Sequence, residues 1–530
     1  MTTTSKFRLE TNAARIALTA LPLVMSIIMI FWNLQGLGLS HWDEFNYIVT
    51  AQWFLRRPGG TFTIYEPPGF SFLVAVFFKI FGVKDYVAIA VSGIFAVGTI
   101  GLVTYLGLRL FGLEVSLAAP VMLVLSPLFL TYSRMALTDM TFTFFFSLAL
   151  AAMYFATKSR DHRWTALAAL AFAACTMVKY NGFMSLATFA CYLLIILGGL
   201  RGSERLRVAI GWLRKLVLIC IPSLILNFLF VLMLGISTLL PPRQVFSLHA
   251  LRAVESNFLG VLAKGFAKLN AGAIQPHAGQ LGFFPLAAAP FYIQVLAVFV
   301  PGPLLLLAII GLVRKNFKDG PALFISVWLL ASFFLISSIP SHYSRAILPV
   351  LPPLALSGGL GLSRVGAFLR SAGLARWPKL KPKLGWVVPA LLILIVALSL
   401  EGAAQAVSVE HQGYRQAGEL LATFPGTSPT LEQTQLVMGF YYPASFGAIN
   451  ATSLAKNRFI VTDFIGAENG YLPTLQQFRQ QGKIKLVATI RNDLPPEVYL
   501  DTMSFQTLAQ WNYTYIQIYE VVNGTTTQGS

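Results

Sequence analysis

Charged residues are scarce in this sequence. Asp, Glu, Lys and Arg make up 11% of its 530 residues, while 56% are hydrophobic; soluble domains carry about 25% charged residues. The mean hydropathy is +0.68. Because this composition does not match that of a soluble globular protein, we expect a polytopic α-helical membrane protein.

Cysteine is also scarce, and the three cysteines present carry no recognisable chemistry. Cys175, Cys191 and Cys220 all lie in apolar runs, without the CxxC or Cys/His spacing of a metal or redox site. The sequence also lacks internal repeats and a GxxxxGK[ST] phosphate-binding loop. These absences argue against a disulfide framework, a thiolate metal site and a nucleotide-binding loop.

Acidic residues are few before residue 402, and this shortage explains the basic net charge of +18. From residue 402 onward the chain has seven basic and nine acidic residues, so the excess of Lys and Arg belongs to the apolar part. There the basic residues cluster at short breaks between apolar runs, as expected when charge sets the orientation of membrane helices. The net charge therefore indicates topology and predicts no nucleic-acid partner.

Eleven apolar runs approach the roughly 20 residues that a membrane-spanning helix requires. They lie at residues 16–35, 85–108, 116–133, 139–157, 164–180, 182–200, 213–238, 290–313, 321–338, 344–362 and 386–402. Lys6, Arg8 and Arg15 precede the first run and predict an uncleaved signal anchor with a cytoplasmic N-terminus. With eleven spans, every strongly basic break falls on the cytoplasmic side.

The chain is predicted to form two domains. Residues 1–402 form a transmembrane domain with two external loops, 36–84 and 238–290; the second loop is long enough to act as a lid. Residues 403–530 form a small extracytoplasmic α/β domain, because eleven spans leave this part outside. Its predicted helices are at 413–424 and 471–481, and its predicted strands are at 459–462, 485–490 and 515–519.

Some charged residues lie at the external ends of the predicted spans, where the preference of Lys and Arg for the cytoplasmic side does not account for them. A charge near the hydrocarbon costs about 2.5–3.5 kcal/mol unless it is paired or reaches the interface. The unexplained cations are Arg134, Lys179 and Arg345, and the acids on the same predicted face are Asp43, Glu44, Glu66 and Asp139. We expect one site on that face, in which cations bind a lipid-held phosphate and a carboxylate acts as a base.

Structural roles are the alternatives for the same residues. Ser40-x-x-Asp43 fits a capping box, Asp139 fits the N-cap of the next span, and Glu66 before Pro67-Pro68 fits the start of a short interfacial helix ending near Phe81-Gly82. Lys179 and Arg345 could extend to lipid headgroups. No cofactor is required, but a divalent metal stays open because four histidines are predicted outside: His41, His249, His277 and His342.

The order of these motifs resembles the GT-C membrane glycosyltransferases of the protein O-mannosyltransferase and aminoarabinose transferase type. The resemblance covers roughly residues 10–400, and its motifs are Trp42-Asp43-Glu44 with Tyr47, Glu66-Pro67-Pro68, Arg134…Asp139, Lys179-Tyr180-Asn181-Gly182 and Tyr343-Ser344-Arg345. It implies a GT-C-like fold and the transfer of a sugar from a polyprenyl-phosphate carrier to an acceptor outside the cytoplasm.

The resemblance also implies roles for single residues. Asp43 would be the catalytic base, with Glu44 and Asp139 as further acids of the site. The donor phosphate would be bound by Lys179, Arg134, Arg345 and Tyr343, and the other residues of the active face would be Glu66, Tyr47 and His41. Many relatives carry Lys where Glu66 stands, so phosphate binding is not transferred to that position.

The residues themselves permit this chemistry. A sugar on a lipid phosphate carries a good leaving group, so inverting transfer needs one base and cations that stabilise the departing phosphate. We expect an enzyme of a prokaryotic plasma (inner) membrane whose partners are a polyprenyl-phosphate sugar, the bilayer, and a lipid, glycan or protein acceptor. The alternatives are a polysaccharide polymerase or ligase, a non-catalytic binder of lipid-linked glycans, and a secondary transporter. A transporter should show internal repeats and carboxylates at mid-span.

Overall fold

The protein is seen in a computed structural model. It describes residues 18–62, 67–159, 161–237, 258–269, 288–312, 320–338, 343–376, 387–410, 412–424, 429–434, 437–492, 494–501, 506, 508 and 514–522. The first half of the described chain is helical throughout. Its helices are α1 (Leu18–Gly36), α2 (Trp42–Phe54), α3 (Gly69–Phe81), α4 (Asp85–Leu110), α5 (Leu113–Val124), α6 (Pro127–Ser133), α7 (Thr138–Lys158), α8 (His162–Val178), α9 (Phe183–Gly198) and α10 (Gly202–Ser237).

The helical part continues to residue 408. Its further helices are α11 (Phe258–Leu269), α12 (Ala289–Phe299), α13 (Gly302–Leu312), α14 (Gly320–Ser337), α15 (Leu351–Arg376) and α16 (Val387–Ser408). Two 3₁₀ helices, Tyr180–Gly182 and Ser344–Val350, lead directly into α9 and α15. Of the predicted loop 238–290, the structure describes α11 and the last three residues, so the predicted lid stays a prediction.

Eight helices among the described residues are long and apolar enough to cross a membrane, and two bent helix pairs raise the number of candidate spans to ten. The membrane-protein prediction is therefore confirmed, while the count of eleven stays a prediction. The predicted run that is not among these ten, 164–180, forms α8, which has 17 residues. The short helix predicted before Phe81-Gly82 is also present as α3, with 13 residues.

Two predicted spans are broken rather than continuous. The predicted span at 116–133 consists of α5 and α6, which meet at 67°, and the span at 290–313 consists of α12 and α13, which meet at 120°. Pro127 begins α6, and Pro301 lies in the break before α13. A proline disfavours the helical conformation of the residue before it, which explains why an apolar run can bend at these points.

Glycines allow two of the long helices to touch through their backbones. A Cβ added at Gly361 of α15 would lie 1.9 Å from the carbonyl oxygen of Leu307 in α13, and one at Gly311 would lie 1.9 Å from that of Ser357. Small residues permit such close approach between membrane helices, where packing rather than the hydrophobic effect drives association. The α13–α15 contact therefore depends on both glycines.

A five-stranded sheet lies in the C-terminal part of the chain, with the order β2-β1-β3-β5-β4. Its elements are α17 (Gly413–Ala422), β1 (Thr430–Gln433), α18 (Met438–Tyr441), β2 (Ser445–Phe446), α19 (Ala451–Lys456), β3 (Phe459–Thr462), α20 (Phe464–Glu468), α21 (Leu472–Gln480), β4 (Ile484–Arg491), α22 (Pro496–Tyr499) and β5 (Tyr515–Val521). Strand β3 pairs with β1 in parallel and with β5 antiparallel. The three predicted strands and two predicted helices are confirmed; the domain boundary at 402 stays a prediction.

The C-terminal part is attached to the end of α1, to the loop that follows it and to the start of α4. Arg415 of α17 pairs with Asp85 at 2.5 Å and donates to the carbonyl of Gln35 at 3.0 Å. The Tyr441 hydroxyl donates to Asp85 at 2.7 Å and accepts from the backbone N–H of Leu39 at 2.8 Å. These contacts hold the C-terminal part against the same face of the helical part that carries α2.

We expect Gly361→Ala to lower the thermal stability of the purified protein in detergent. The added methyl group would push α15 away from α13, and overpacking of this kind costs about 1–3 kcal/mol of unfolding free energy. Gly211→Ala is the matched control, because a Cβ at Gly211 meets nothing within 4 Å. Alanine favours a helix over glycine by about 0.5–1 kcal/mol, so the control should be neutral or slightly more stable. Equal melting temperatures for the two variants would contradict the close contact.

Candidate active site

The guanidinium of Arg345 is buried and surrounded by three carboxylates. Its Nη2 lies 2.5 Å from Oδ2 of Asp43, its Nε 3.1 Å from Oδ2 of Asp501, and its Nη1 3.6 Å from Oδ2 of Asp139. The Arg345 side chain is only 7% exposed. We call Arg345, these three acids, Lys179 and His41 the Arg345 cluster.

The start of α2 places Asp43 in this cluster. His41 is the N-cap residue: its Nδ1 accepts from the N–H of Asp43 at 3.2 Å, while a carboxylate oxygen of Glu44 accepts from the N–H of His41 at 2.8 Å. This reciprocal capping box leaves the Asp43 side chain directed at Arg345. The predicted Ser40…Asp43 box is therefore shifted by one residue, to His41 and Glu44.

Glu44 has a structural position. Its side chain is fully buried and accepts from the backbone N–H groups of Ser40 at 2.6 Å and of Ala136 at 2.6 Å, in addition to that of His41. Burial raises the pKa of Glu44 to about 7, although the three backbone donors act in the opposite direction. Glu44 thus links the start of α2 to the segment before α7, whereas Asp43 faces the cluster.

Asp139 and Lys179 meet at the ends of two neighbouring helices. Asp139 lies in the first turn of α7, whose N-cap is Leu137, so Asp139 is not the N-cap that the sequence suggested. Lys179 directly follows α8, and its Nζ lies 2.8 Å from Oδ1 of Asp139. An acid at a helix N-terminus and a cation at a helix C-terminus are each favoured by the helix dipole.

Asp501 is a member of the cluster that the sequence analysis missed. It lies just after α22, where Oδ1 accepts from the N–H of Ser344 at 3.1 Å and from the Tyr132 hydroxyl at 3.4 Å. Its Oδ2 lies 3.5 Å from Nε2 of His41. The one signal in the sequence is the pair of acids in Pro495-Pro496-Glu497-Val498-Tyr499-Leu500-Asp501, a proline-led segment otherwise made of large apolar residues.

Glu497 anchors this C-terminal segment to the helical part. Its carboxylate accepts from the Thr131 hydroxyl at 2.5 Å, and its carbonyl oxygen accepts from the hydroxyls of Tyr132 at 3.0 Å and Ser344 at 2.7 Å. Burial raises the pKa of Glu497 above its usual value. The segment that carries Asp501 is therefore fixed by hydrogen bonds on α6 and at the start of the 3₁₀ helix.

The members of the cluster differ in their protonation. Burial raises the pKa of Asp43, but Arg345, His41 and Lys179 together outweigh burial and leave this pKa below its usual value. Burial lowers the pKa of His41 to about 3, so this imidazole is neutral at neutral pH. Burial raises the pKa of Asp501 to about 7, although Arg345 acts against this shift. Asp43 is thus a stable carboxylate, whereas Asp501 changes its charge near neutrality.

Two predicted tyrosines lie beside the cluster. The guanidinium carbon of Arg345 lies 5.3 Å from the centre of the Tyr343 ring, which is within the range of a cation–π contact. The Tyr47 hydroxyl lies 3.4 Å from that of Thr138, and its ring packs edge-on against Phe70 at 5.4 Å. Both side chains therefore line the region around Arg345.

Arg134, a predicted phosphate ligand, is placed elsewhere. Its Nη1 donates to the carbonyls of Met29 at 3.1 Å and Trp32 at 2.8 Å in α1, and its Nη2 donates to that of Val407 in α16 at 3.0 Å. The residue is 1% exposed. The regular α-helical part of α1 ends at Phe31, ahead of the 3₁₀ turn Leu34–Gly36, and α16 ends at Ser408. Carbonyls in the last turn of an α-helix lack partners within it, and Arg134 supplies donors to them at both places. The structure therefore does not bring Arg134 into the cluster.

Several predicted residues lie outside the described residues. These are Glu66, His249, His277 and His342. Within the ranges that the structure covers, no group of three or more His, Cys, Asp or Glu side chains is arranged to hold a metal ion. In the Arg345 cluster itself, the space between Asp43 and Asp139 holds a guanidinium. The prediction that no cofactor is required, and the open alternative of a divalent metal, both stay predictions.

An apolar groove leads to the helix end that bears Lys179. It has a volume of about 1030 Å³ and is lined by Phe54, Phe72, Met177, Leu226 and Phe230, among other residues of α2, α3, α8 and α10. Met177 lies two residues before Lys179, which does not itself line the groove. The groove is therefore suited to an apolar chain that lies beside the end of α8.

We expect Arg134→Met to lower the melting temperature without involving the Arg345 cluster. The change leaves the carbonyls at the ends of α1 and α16 without these donors, and each buried polar group left unpaired costs about 1–3 kcal/mol. Arg109→Met is the matched control, because Arg109 is exposed at the end of α4. Thermal unfolding of both variants in detergent measures the difference; an Arg134 variant as stable as the control would contradict this structural role.

The sequence matches the family of dolichyl-phosphate-mannose-protein mannosyltransferases over residues 65–226. This region contains Asp139 and Lys179 and precedes Arg345. No curated protein sequence matches the chain.

The structure is similar to two solved membrane-protein structures over nearly its whole length. ArnT from Cupriavidus metallidurans, bound to undecaprenyl phosphate, is 16% identical, with a TM-score of 0.58 over 95% of this chain and 98% of ArnT. The oligosaccharyltransferase AglB from Archaeoglobus fulgidus, in complex with an inhibitory peptide and a dolichol-phosphate, is 13% identical, with a TM-score of 0.57 over 97% of this chain and 89% of AglB. The chain thus has the fold of the GT-C membrane glycosyltransferases of the ArnT and protein mannosyltransferase type, as the sequence predicted.

Proposed function

We propose that this chain is a glycosyltransferase that moves a sugar from a polyprenyl-phosphate carrier to an acceptor outside the cytoplasm, with inversion. The observation that carries the proposal is the Arg345 cluster, which brings a partly exposed carboxylate together with two cations; an apolar groove reaches the end of α8, two residues before Lys179. The comparisons support the same kind of reaction, since the similar ArnT structure holds undecaprenyl phosphate and the AglB structure a dolichol-phosphate.

Asp43 is the best candidate for the base. Its side chain is 18% exposed, whereas those of Asp139 and Asp501 are 2% and 1% exposed, so an acceptor can reach Asp43 most readily. The low pKa of Asp43 results from its pairing with Arg345. When a donor phosphate engages Arg345, this pairing weakens, and the pKa of Asp43 rises toward the range in which a carboxylate accepts a proton efficiently.

The transfer step then balances without a redox partner. The acceptor oxygen or nitrogen attacks the anomeric carbon and passes its proton to Asp43. The bond between that carbon and the phosphate oxygen breaks, and its electron pair stays on the phosphate. The products are the glycosylated acceptor and polyprenyl phosphate, which carries one more negative charge than the donor phosphodiester.

Lys179 and Arg345 are the candidates to hold the phosphate. Both side chains are largely buried, at 15% and 7% exposure, and a cation in such surroundings attracts an anion more strongly than in water. Tyr343 supports Arg345 from the side. Glu44 is proposed to hold the start of α2, and Arg134 to donate hydrogen bonds to the carbonyls at the ends of α1 and α16. His41 and Tyr47 border the site.

The same proposal places the donor chain, the acceptor and the enzyme relative to the membrane. The donor chain would occupy the groove between α2, α3 and α10 while the bilayer surrounds the spans. The acceptor would be a lipid headgroup, a glycan or a protein side chain, and the enzyme would act at the outer face of a plasma (inner) membrane with its N-terminus in the cytoplasm. The following experiment separates a transporter from a transferase, whereas a polymerase or a ligase would also form a covalent glycan product.

We expect Asp43→Asn to lower the rate of sugar transfer from a radiolabelled polyprenyl-phosphate sugar by about 10²–10⁴-fold, the usual contribution of a general base. Binding of the donor should persist, because Arg345 and Lys179 remain. The measurement is transfer and donor binding by the purified protein in proteoliposomes. Movement of the labelled lipid across the bilayer without a covalent product would favour a transporter.

Asp161→Asn is the matched control for this substitution. Asp161 is an exposed N-cap of α8, and its carboxylate accepts from the N–H of Arg163 at 2.9 Å. Asparagine caps helices about as well as aspartate, so this variant should transfer at the wild-type rate. If Asp43→Asn folds, binds the donor and also transfers at the wild-type rate, Asp43 is not the base.

We also expect Lys179→Met to weaken the binding of polyprenyl phosphate by about 10- to 100-fold, the loss of one charge-assisted hydrogen bond. Lys84→Met serves as the control, since Lys84 is fully exposed at the start of α4. Equilibrium binding of the phospholipid by both variants, with melting temperatures recorded in parallel, tests the role. An unchanged affinity in a folded Lys179 variant would remove Lys179 from the phosphate site.

A further inference from the structure

Asp501 holds a fixed place within the cluster although it belongs to the C-terminal part. Besides the N–H of Ser344, its Oδ1 is close to the hydroxyl of the same residue, at 3.3 Å. The backbone of Glu497 in α22 is bound to Tyr132 and Ser344, so the Asp501 side chain cannot swing away without breaking these bonds. Asp501 is therefore a built part of the site.

The second oxygen of Asp501 points at the cation. Oδ2 lies 3.1 Å from Nε of Arg345 but accepts no hydrogen bond from the residues that the structure describes. Asp501 as a whole is 7% exposed. A buried carboxylate oxygen that faces a guanidinium without a hydrogen bond acts mainly through its charge, because charge interactions are strong where water is excluded.

The charge around Arg345 is close to balance. The groups that face Asp501 from the surrounding elements are His41, Asp43, Tyr132, Asp139, Tyr292, Tyr343 and Arg345. Among these, His41 is neutral, and Arg345 is the only cation; Lys179 pairs with Asp139 from the other side. With Lys179 included, the charge of Asp501 therefore decides whether the cluster is neutral or carries one net negative charge before an anion binds.

We propose that Asp501 weakens the hold of the Arg345 cluster on a phosphate, so that the polyprenyl phosphate left after sugar transfer can leave the site. This inference rests on the proposed function. The donor is a phosphodiester with one negative charge, whereas the released phosphate monoester has a second pKa near 6 and is largely a dianion at pH 7. Two cations bind a dianion more tightly than the donor, and a fixed carboxylate beside Arg345 offsets this difference.

Binding of a non-reactive probe tests the proposal. The probe is a polyprenyl methyl phosphate, a phosphodiester whose single charge does not change between pH 6 and pH 8. At pH 8, Asp501→Asn should bind it about tenfold more tightly than the wild type, because a unit charge within about 5 Å of the phosphate has been removed. Unchanged or weaker binding in the variant would overturn the proposal.

The wild-type protein provides a second test without any substitution. Since the pKa of Asp501 lies at about 7, the carboxylate is mostly protonated at pH 6 and mostly ionised at pH 8. The wild type should therefore lose affinity for the probe as the pH rises from 6 to 8, while Asp501→Asn should not. Glu44 also has a pKa of about 7. A variant that keeps the full pH dependence would assign it to Glu44 or another group and count against Asp501.

Glu520→Gln is the matched control, because Glu520 is a partly exposed acid of β5 that pairs with Arg458 at 3.3 Å. It should bind the probe as the wild type does, at each pH. In transfer assays, Asp501→Asn should lower the steady-state rate more than the rate of the first turnover, because release of the product limits the later turnovers. A first turnover slowed as much as the steady state would indicate a role in the chemical step instead.

The outcomes separate this inference from the proposed function. If the wild type neither binds the probe nor transfers sugar, the proposed function fails. If the wild type transfers sugar but Asp501→Asn has wild-type affinity and wild-type pH dependence, only the inference about Asp501 fails.

Discussion

A guanidinium buried among acids is the constraint on which the rest of the site depends. Removing a charged group from water costs several kcal/mol, and the cost is recovered only when opposite charges are held close by. Arg345 meets this condition through Asp43, Asp139 and Asp501, which come from α2, α7 and the C-terminal part. Each of the three acids has Arg345 as a counter-charge, so the three parts of the chain stabilise one another at this point.

The backbone around the cluster limits its freedom. Glu44 connects the first turn of α2 to Ala136, just before α7. Its carboxylate therefore fixes the positions of the helix starts that carry Asp43 and Asp139, although it is not one of the three acids that pair with Arg345. Ser344 connects the third acid to the residue next to Arg345. A catalytic group must stay within a fraction of an ångström of its productive position, and second-layer hydrogen bonds of this kind are the usual means of keeping it there.

More of the fold than of the candidate site could be predicted from the sequence. The lengths of the apolar runs predicted the helices, and alternating patterns predicted three strands to within one or two residues. The distribution of charge between the two sides of the membrane singled out two acids and two cations that need partners: Asp43, Asp139, Lys179 and Arg345. The charge distribution does not predict which groups these residues pair with. Arg134, singled out in the same way, donates hydrogen bonds to backbone carbonyls. Asp501 was overlooked because an acid in a polar C-terminal segment is normally expected to be exposed to solvent. The bends at Pro127 and Pro301 were missed because hydropathy averages over a break.

The position of Asp501 in the chain has a consequence for biogenesis. Synthesis proceeds from the N-terminus, so Asp43 and Asp139 enter the membrane region before Arg345 does. The cation thus finds counter-charges already in place when its own helix is inserted. Only later does the sheet fold and deliver the last carboxylate, so the charge around Arg345 reaches its final value only when the C-terminal part has folded.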